Sequence, residues 1–268
     1  MTCVNVNLVK CAVGLGINAA STHKCKCALN LGSNLLVRDG GLRGAVILTH
    51  GAFSKLEPRA DGLIWCEAGV PCARIARHCV RLGLGPAEFF AGIPGTLGGA
   101  LAMNAGAFGG ETWSHVREVE VIDRSGNIRW RAAGEYRVAY RHVTAPVAGE
   151  AFLGATLAFE SRPASNNDTL RDLLVERKAK QPIGEWSCGS VFTNPIGDHA
   201  ARLIESAGLK GRRIGGACVS PKHANFIINE GEASAADLEQ LICEVRDVVE
   251  ARFGVRLQTE VRIVGEAA

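Results

Sequence analysis

No run of apolar residues in this 268-residue chain is long enough to span a bilayer, so no transmembrane helix and no membrane partner are expected. There is no run of Lys and Arg with interleaved aromatics, and the net charge is only +3, which leaves a nucleic-acid role without support. No CxxC pair occurs. Cys25-Lys26-Cys27 is too tight for a usual zinc knuckle, and no matching Cys/His pair follows, so no metal site is expected. The first residues, Met1 to Gly16, hold one lysine, Lys10, and a modest apolar patch, without a clear signal-peptide pattern. There is no internal repeat, and aromatics are few at 6%.

What is present is a 47% hydrophobic composition, enough for a sizeable core in one large domain or two ordinary ones. The mildly basic balance suits an anionic small molecule. Ten cysteines is a high count, but a disulfide scaffold does not fit a chain this long with this much core. They read as reduced, mostly buried thiols in a cytoplasmic protein.

Residues 1–30 are rich in Cys, Asn, Val and Lys and show no clean period. From Leu31 the pattern becomes regular. Ala45–Leu48 and Leu63–Glu67 read as strands and Ala73–Leu82 as a helix. Glu118–Asp123 and Asn127–Arg131 flank Ser125-Gly126, a hairpin signal. Ala151–Glu160 reads as a strand, Ser161–Asp168 as a loop and Leu170–Lys180 as a helix. Asp198 is expected to cap a helix that runs through Ala207 and stops at Gly208. Ser234, with Asp237 three residues on, caps the next, which Gly254 ends. Val255, Leu257, Thr259, Val261 and Ile263 alternate as a strand, with Arg256, Gln258, Glu260 and Arg262 on its other face. The order of elements suggests an α+β fold with a boundary near 161–185.

The stretch Glu88–Glu111 is the most informative. Its many glycines, single proline and near-absence of charge argue against an ordinary helix or strand and against a flexible linker. They point to a bent, buried backbone laid against something large and flat, or to a crowded turn between core elements. Other local patterns are weaker alone. Gly32-Ser33-Asn34 offers amides and side chains to a pyrophosphate, or is a plain turn. Tyr140-Arg141-His142 places an arginine beside aromatics. Cys188-Gly189-Ser190-Val191-Phe192-Thr193-Asn194-Pro195 puts a serine after glycine in a bend. Glu260 sits on the polar face of the last strand.

In this order the patterns resemble one family, the UDP-N-acetylenolpyruvylglucosamine reductases, also called UDP-N-acetylmuramate dehydrogenases, of bacterial peptidoglycan synthesis. The resemblance rests on Gly32-Ser33-Asn34, Gly92–Gly99, Met103–Ala107, Tyr140-Arg141, Gly189–Pro195, Val219-Ser220 with His223-Ala224-Asn225-Phe226, and Glu260-Val261-Arg262, and covers about residues 31–265. It implies a two-lobed FAD-binding domain of the vanillyl-alcohol-oxidase type plus a smaller α+β substrate domain, with divisions at 1–50, 51–165 and 166–268. It implies FAD, bound non-covalently, with NADPH as hydride donor, and UDP-N-acetylglucosamine enolpyruvate as substrate. Ser190 matches the proton donor, Arg141 the arginine that binds the substrate carboxylate, and Glu260 the third catalytic residue. Gly32, Ser33 and Asn34 would meet the pyrophosphate; Gly92, Pro94, Gly95, Thr96, Gly98, Gly99, Asn104, Gly106 and Ala107 would wrap the flavin ring. Arg177, Lys180, Asn194 and His223 would hold the UDP-sugar. The chain is expected to act as a monomer.

Three positions depart from the family. Asn30 stands where a glycine is usual, and Thr193 where lysine is common. A longer segment, with a Gly-Gly-Pro-Ala-like strand, normally precedes the Gly-Ser-Asn turn, which implies a first flavin lobe that is incomplete or replaced and weak FAD binding. The chain also lacks the substrate-domain insertion of the longer subclass and so resembles the shorter one. Two other readings stay open: an N-terminally altered relic with little activity, and a flavin oxidase of the same fold acting on an alcohol or sugar. The Gly-Ser-x-Phe-x-Asn-Pro turn, the terminal Glu-Val-Arg and the lack of a clear histidine for a covalent flavin argue against the last.

Overall fold

The computed structural model describes residues 25–29, 32–43, 45–49, 51–162 and 167–268. The expectation about a first flavin lobe over 1–50 rests largely on residues 1–24, which lie outside the described residues, as does Asn30. The described residues fall into two compact units, one built mainly on 46–177, the other on 32–43 and 178–268.

The 46–177 unit is built on a five-stranded antiparallel sheet with strand order Ile128–Ala132, Val116–Ile122, Ala151–Ala158, Leu63–Glu67, Leu56–Pro58. The strands expected at 63–67, 118–123 and 151–160 are present to within two residues, as is the hairpin at Ser125-Gly126, where Gly126 takes φ +87°. Alternation buries Val119 and Val121 from one strand and Ala155 and Leu157 from its neighbour. The helix Cys72–Arg81 joins the same core because Cys72, Ile75, Ala76, Cys79 and Val80 recur at helical spacing and are all buried. Phe90 and Leu101 are fully buried in the same core; each such side chain contributes about 2–3 kcal/mol. Cys66, Cys72, Cys79 and Cys218 are buried free thiols, and burial pushes the Cys79 thiol up to about 12.

The other unit has a four-stranded antiparallel sheet, ordered Ser187–Ser190, Phe226–Asn229, Ala217–Val219, Arg213–Ile214. The helix Ala235–Phe253 packs on it, burying Leu238, Leu241, Ile242, Val245 and Val249. Its ends are those read from the sequence: Ser234 Oγ accepts from Asp237 N–H, Asp237 answers to Ser234 N–H, and Gly254 takes φ +68°. A partner from far away completes the start. The Asp39 carboxylate accepts from Ala235 N–H at 3.0 Å, and Arg38 pairs with Glu239 through two bonds of 2.6 and 2.8 Å. That pairing holds the Glu239 carboxyl below the usual range. Removing a capping oxygen costs about 1 kcal/mol, so Ser234→Ala and Asp39→Ala should each lower the urea midpoint with an unchanged slope. Unaltered midpoints in both would mean that packing alone sets this helix.

Two expectations fail here. Asp198 is not the cap of the next helix, which spans Ala200–Ser206 after His199; its carboxylate accepts from His199 N–H at 2.7 Å and pairs with Arg202 instead. The final segment is a strand only over Arg262–Val264, which runs parallel to Leu35–Val37. Within 255–261 Leu257 and Val261 are buried, but Thr259 between them is exposed. The main chain of this segment makes a single antiparallel bridge, Thr259 with Phe192, in which Gln258 O accepts from Thr193 N–H and Glu260 N–H donates to Val191 O; it does not extend into a ladder.

Candidate active site

The glycine-rich stretch contains more regular structure than its composition suggested. A 3-10 turn spans Glu88–Gly92, a helix Leu97–Met103, and a two-residue hairpin joins Gly106-Ala107 to Gly110-Glu111. Two glycines inside a helix cost about 1 kcal/mol each. Burial of Leu97, Ala100 and Leu101 offsets this, as do Leu97 N–H donating to Val70 O at 2.9 Å and Gly98 N–H to Ala68 O at 2.8 Å. The expectation of a bent, buried backbone holds around it: Ile93–Thr96 turn sharply, and Gly95 O accepts from Cys72 N–H at 2.9 Å. Thr96 is fully buried, and its Oγ1 has no partner among the described residues.

Asn104 ends the helix in the left-handed region at φ 45°. Its carboxamide is engaged within the protein: Oδ1 accepts from Trp113 N–H at 3.1 Å, and Nδ2 donates to Glu111 Oε2 at 2.9 Å and Ala139 O at 3.2 Å. Both of its donors are therefore taken, and only a lone pair on Oδ1 is left for a cofactor. Ala139 opens the turn that carries Arg141. The strands Arg137–Ala139 and His142–Thr144 pair around a two-residue turn, Tyr140-Arg141, with Arg141 at φ 55°. A bulky residue is strained there, where glycine or asparagine is usual. Arg141 Nη2 donates to Gly106 O at 3.2 Å, and the guanidinium lies 5.5 Å from the Tyr140 ring centroid. Arg141 is thus attached to the flavin-ring candidates Gly106 and Asn104 by one bond and one turn.

Gly106 itself admits no side chain, since a Cβ would fall 2.2 Å from Gly110 O. Gly106→Ala should therefore lower stability by about 1–3 kcal/mol and release flavin, read as a lower melting temperature and a lower flavin-to-protein absorbance ratio. A variant that melts and binds like the parent would show that the hairpin opens freely. Gly92 is nearly as tight, with a Cβ position 2.5 Å from Ala107 Cβ.

In the other unit, Gly32 takes φ +68°, and Leu35 N–H closes the turn onto Gly32 O at 3.2 Å. Asn34 Nδ2 donates to Glu260 O at 3.0 Å, and Arg262 N–H to Asn34 O at 3.1 Å. Ser190 lies on a strand whose register with Phe226–Asn229 shifts between Ser187 and Ser190, where Gly189 takes φ +79°. Such a bulge re-aims the side chain that follows. The Cβ position at Gly189 is 3.6 Å from Ser33 O. Ser190, Glu260 and the Gly32–Asn34 turn are therefore brought together, and Ser190 and Glu260 are both half-buried. Thr193 bonds through N–H to Gln258 O at 2.9 Å.

Among the substrate candidates, His223 is half-buried with its ring edge-on to Phe226, and burial pushes its pKa down. Asn225 N–H donates to His223 Nδ1 at 3.3 Å, so the neutral ring carries its proton on Nε2. Asn194 Oδ1 accepts from Ala200 N–H at 3.1 Å. Arg177, on the helix Asn167–Lys180, has its pKa pushed down by burial, the mark of a partly desolvated cation; Lys180 is exposed. Sequence reasoning gave Asn225 no role of its own. Its signal was present: an amide between Ala224 and Phe226, both buried, must find partners.

A profile of the FAD binding domain matches residues 17–131, and one of the UDP-N-acetylenolpyruvoylglucosamine reductase C-terminal domain matches 181–264. The first begins ahead of Leu31, so the likeness reaches further than the motifs do. The UDP-N-acetylenolpyruvoylglucosamine reductase of Alkalilimnicola ehrlichii is 61% identical over 88% of this chain and 79% of its own. That of Methylococcus capsulatus is 56% identical over 89% and 79%. The crystal structure of the reductase from Thermus caldophilus superposes with a TM-score of 0.76 at 34% identity, covering 88% of this chain and 84% of that one. Together with the α+β fold and the FAD-binding domain, these place the chain in the UDP-N-acetylenolpyruvoylglucosamine reductase family.

Proposed function

We propose that the chain reduces UDP-N-acetylglucosamine enolpyruvate to UDP-N-acetylmuramate at the expense of NADPH, with FAD as the bound cofactor. The residues fit that cofactor: Thr96 Oγ1 is a buried hydroxyl that needs a partner, in a segment whose glycines bring main chain close to it. Gly92, Pro94, Gly95, Thr96, Gly98, Gly99, Gly106 and Ala107 would hold the ring, and Gly32, Ser33 and Asn34 the pyrophosphate. When bound, FAD would supply the hydride chemistry that links NADPH to the β-carbon of the enol ether.

The protein's own groups do the rest. Arg141 binds the substrate carboxylate through paired donors and stabilises the negative charge that grows on it as hydride arrives. The Ser190 hydroxyl gives a proton to the α-carbon. Serine is a poor acid in water, so this needs a fixed, close approach to a very basic carbon. Glu260 assists the same charge-bearing state. Arg177, Lys180, Asn194 and the His223 Nε2–H hold the UDP-sugar. The division at 1–50, 51–165 and 166–268 into two flavin lobes and a substrate domain belongs to this reading, as does a cytoplasmic location, where sugar nucleotides and NADPH are both available.

The observation that carries the proposal is Arg141 held in a strained left-handed turn and bonded to Gly106, because strain of this kind persists where a side chain must point one way. The test supplies purified flavoprotein with NADPH and the enolpyruvyl nucleotide. One NADP⁺ should appear per UDP-N-acetylmuramate. Bound flavin with no product would favour the inactive relic.

A further inference from the structure

The main chain that directly follows Ser190 is held by groups outside its own strand. Beyond the register shift, Val191 N–H donates to Asn225 O at 2.9 Å, Phe192 N–H donates to Asn225 Oδ1 at 3.0 Å, and Asn225 Nδ2 donates back to Phe192 O at 2.8 Å. The carboxamide thus satisfies both main-chain groups of Phe192, as a neighbouring strand residue would. On the other side, Val191 O accepts from Glu260 N–H at 2.8 Å. Asn225 N–H also fixes His223 through Nδ1. Asn225 is only 5% exposed, between Ala224 at 3% and Phe226 at 7%, so its amide cannot turn to water.

We propose that Asn225 is a positioning residue for the proton transfer, holding Ser190 and His223 in one fixed arrangement without touching substrate itself. This rests on Ser190 as the proton donor. The reason for such a brace is geometric: a misplacement of about 1 Å costs about a hundredfold in rate. Asn225→Asp separates positioning from bulk. An aspartate still accepts from Phe192 N–H but sets a second, negative oxygen against Phe192 O. Protonated, it regains a donor and mimics the amide. Burial and the facing carbonyl raise its pKa, so recovery comes as pH falls.

The test compares Asn225→Asp, Asn225→Ala and Ser190→Ala holoenzymes in rapid-mixing experiments, each normalised to the unsubstituted protein at the same pH. Reduction of flavin by NADPH should stay within about twofold, while reoxidation by the enolpyruvyl nucleotide slows by about a hundredfold in both Asn225 variants. Lowering the pH should restore the Asp variant and not the Ala variant. In the apoprotein, exchange of the Phe192 amide hydrogen should accelerate in Asn225→Ala. Normal reoxidation in both Asn225 variants, with Ser190→Ala slow, would overturn the positioning role. Equal loss in both half-reactions, without recovery at low pH, would reduce Asn225 to a scaffold residue. Normal reoxidation in Ser190→Ala would remove the proton donor on which the inference rests.

Discussion

Ser190→Ala should leave flavin bound and reducible by NADPH, yet slow reoxidation by the enolpyruvyl nucleotide by about 10²–10⁴-fold, the range for loss of a placed general acid. That is about 3–5 kcal/mol of barrier. The selectivity follows from where Ser190 sits. It follows Gly189 in a bulge, and the main chain beyond it is fixed by Asn225 and Glu260, so removing one oxygen leaves the backbone in place. The hydride-accepting half needs no proton from this residue. Stopped-flow absorbance separates the halves, and undiminished reoxidation would remove Ser190 from the mechanism.

The second large effect concerns Arg141. Arg141→Ala should lower turnover by about 10²–10³-fold, as for a lost electrostatic stabiliser, and Arg141→Lys should recover only part, since an ammonium lacks the planar fork. Arg141→Gly is the sharper variant. Glycine takes φ 55° without strain, so this change should relieve about 1–2 kcal/mol at the turn while losing the bond to Gly106 O and the contact with Tyr140. Thermal stability should stay near that of the parent while activity collapses. Near-normal turnover with lysine would refute bidentate carboxylate binding, and a Gly variant that unfolds would make Arg141 a structural residue.

Much of the fold was legible where the signals are local. Ser234, Asp237 and Gly254 bracket the long helix because caps and left-handed stops act within one turn. Ser125-Gly126 marked its hairpin for the same reason. The Tyr140-Arg141 hairpin was not legible, because neither residue favours such a turn; its form is imposed by Asn104 on Ala139 and by Gly106 on Arg141. The last segment alternated like a strand, but alternation of residue type does not by itself make a ladder. The helix Leu97–Met103 was hidden because tertiary bonds to Ala68 and Val70 override the weak propensity of its glycines. At the site, residue types showed which chemistry was available, while the amides of Asn104 and Asn225 showed their use only once their partners were in place.

The parallel pairing of Leu35–Val37 with Arg262–Val264, with Asp39 at the start of the helix Ala235–Phe253, also sets a timetable. A ribosome makes about 5–20 residues each second, so the Gly32–Asn34 turn waits many seconds for the segment that completes it. The Gly32–Asn34 turn cannot take its final form until Val264 has left the exit tunnel. The other unit's five-stranded sheet, which lies within 56–158, can be assembled long before. A nascent chain stalled short of Arg262 would therefore carry the glycine-rich segment in its finished surroundings but an unformed Gly32–Asn34 turn, and a quality-control protease would find its entry at residues 32–43 rather than in the sheet.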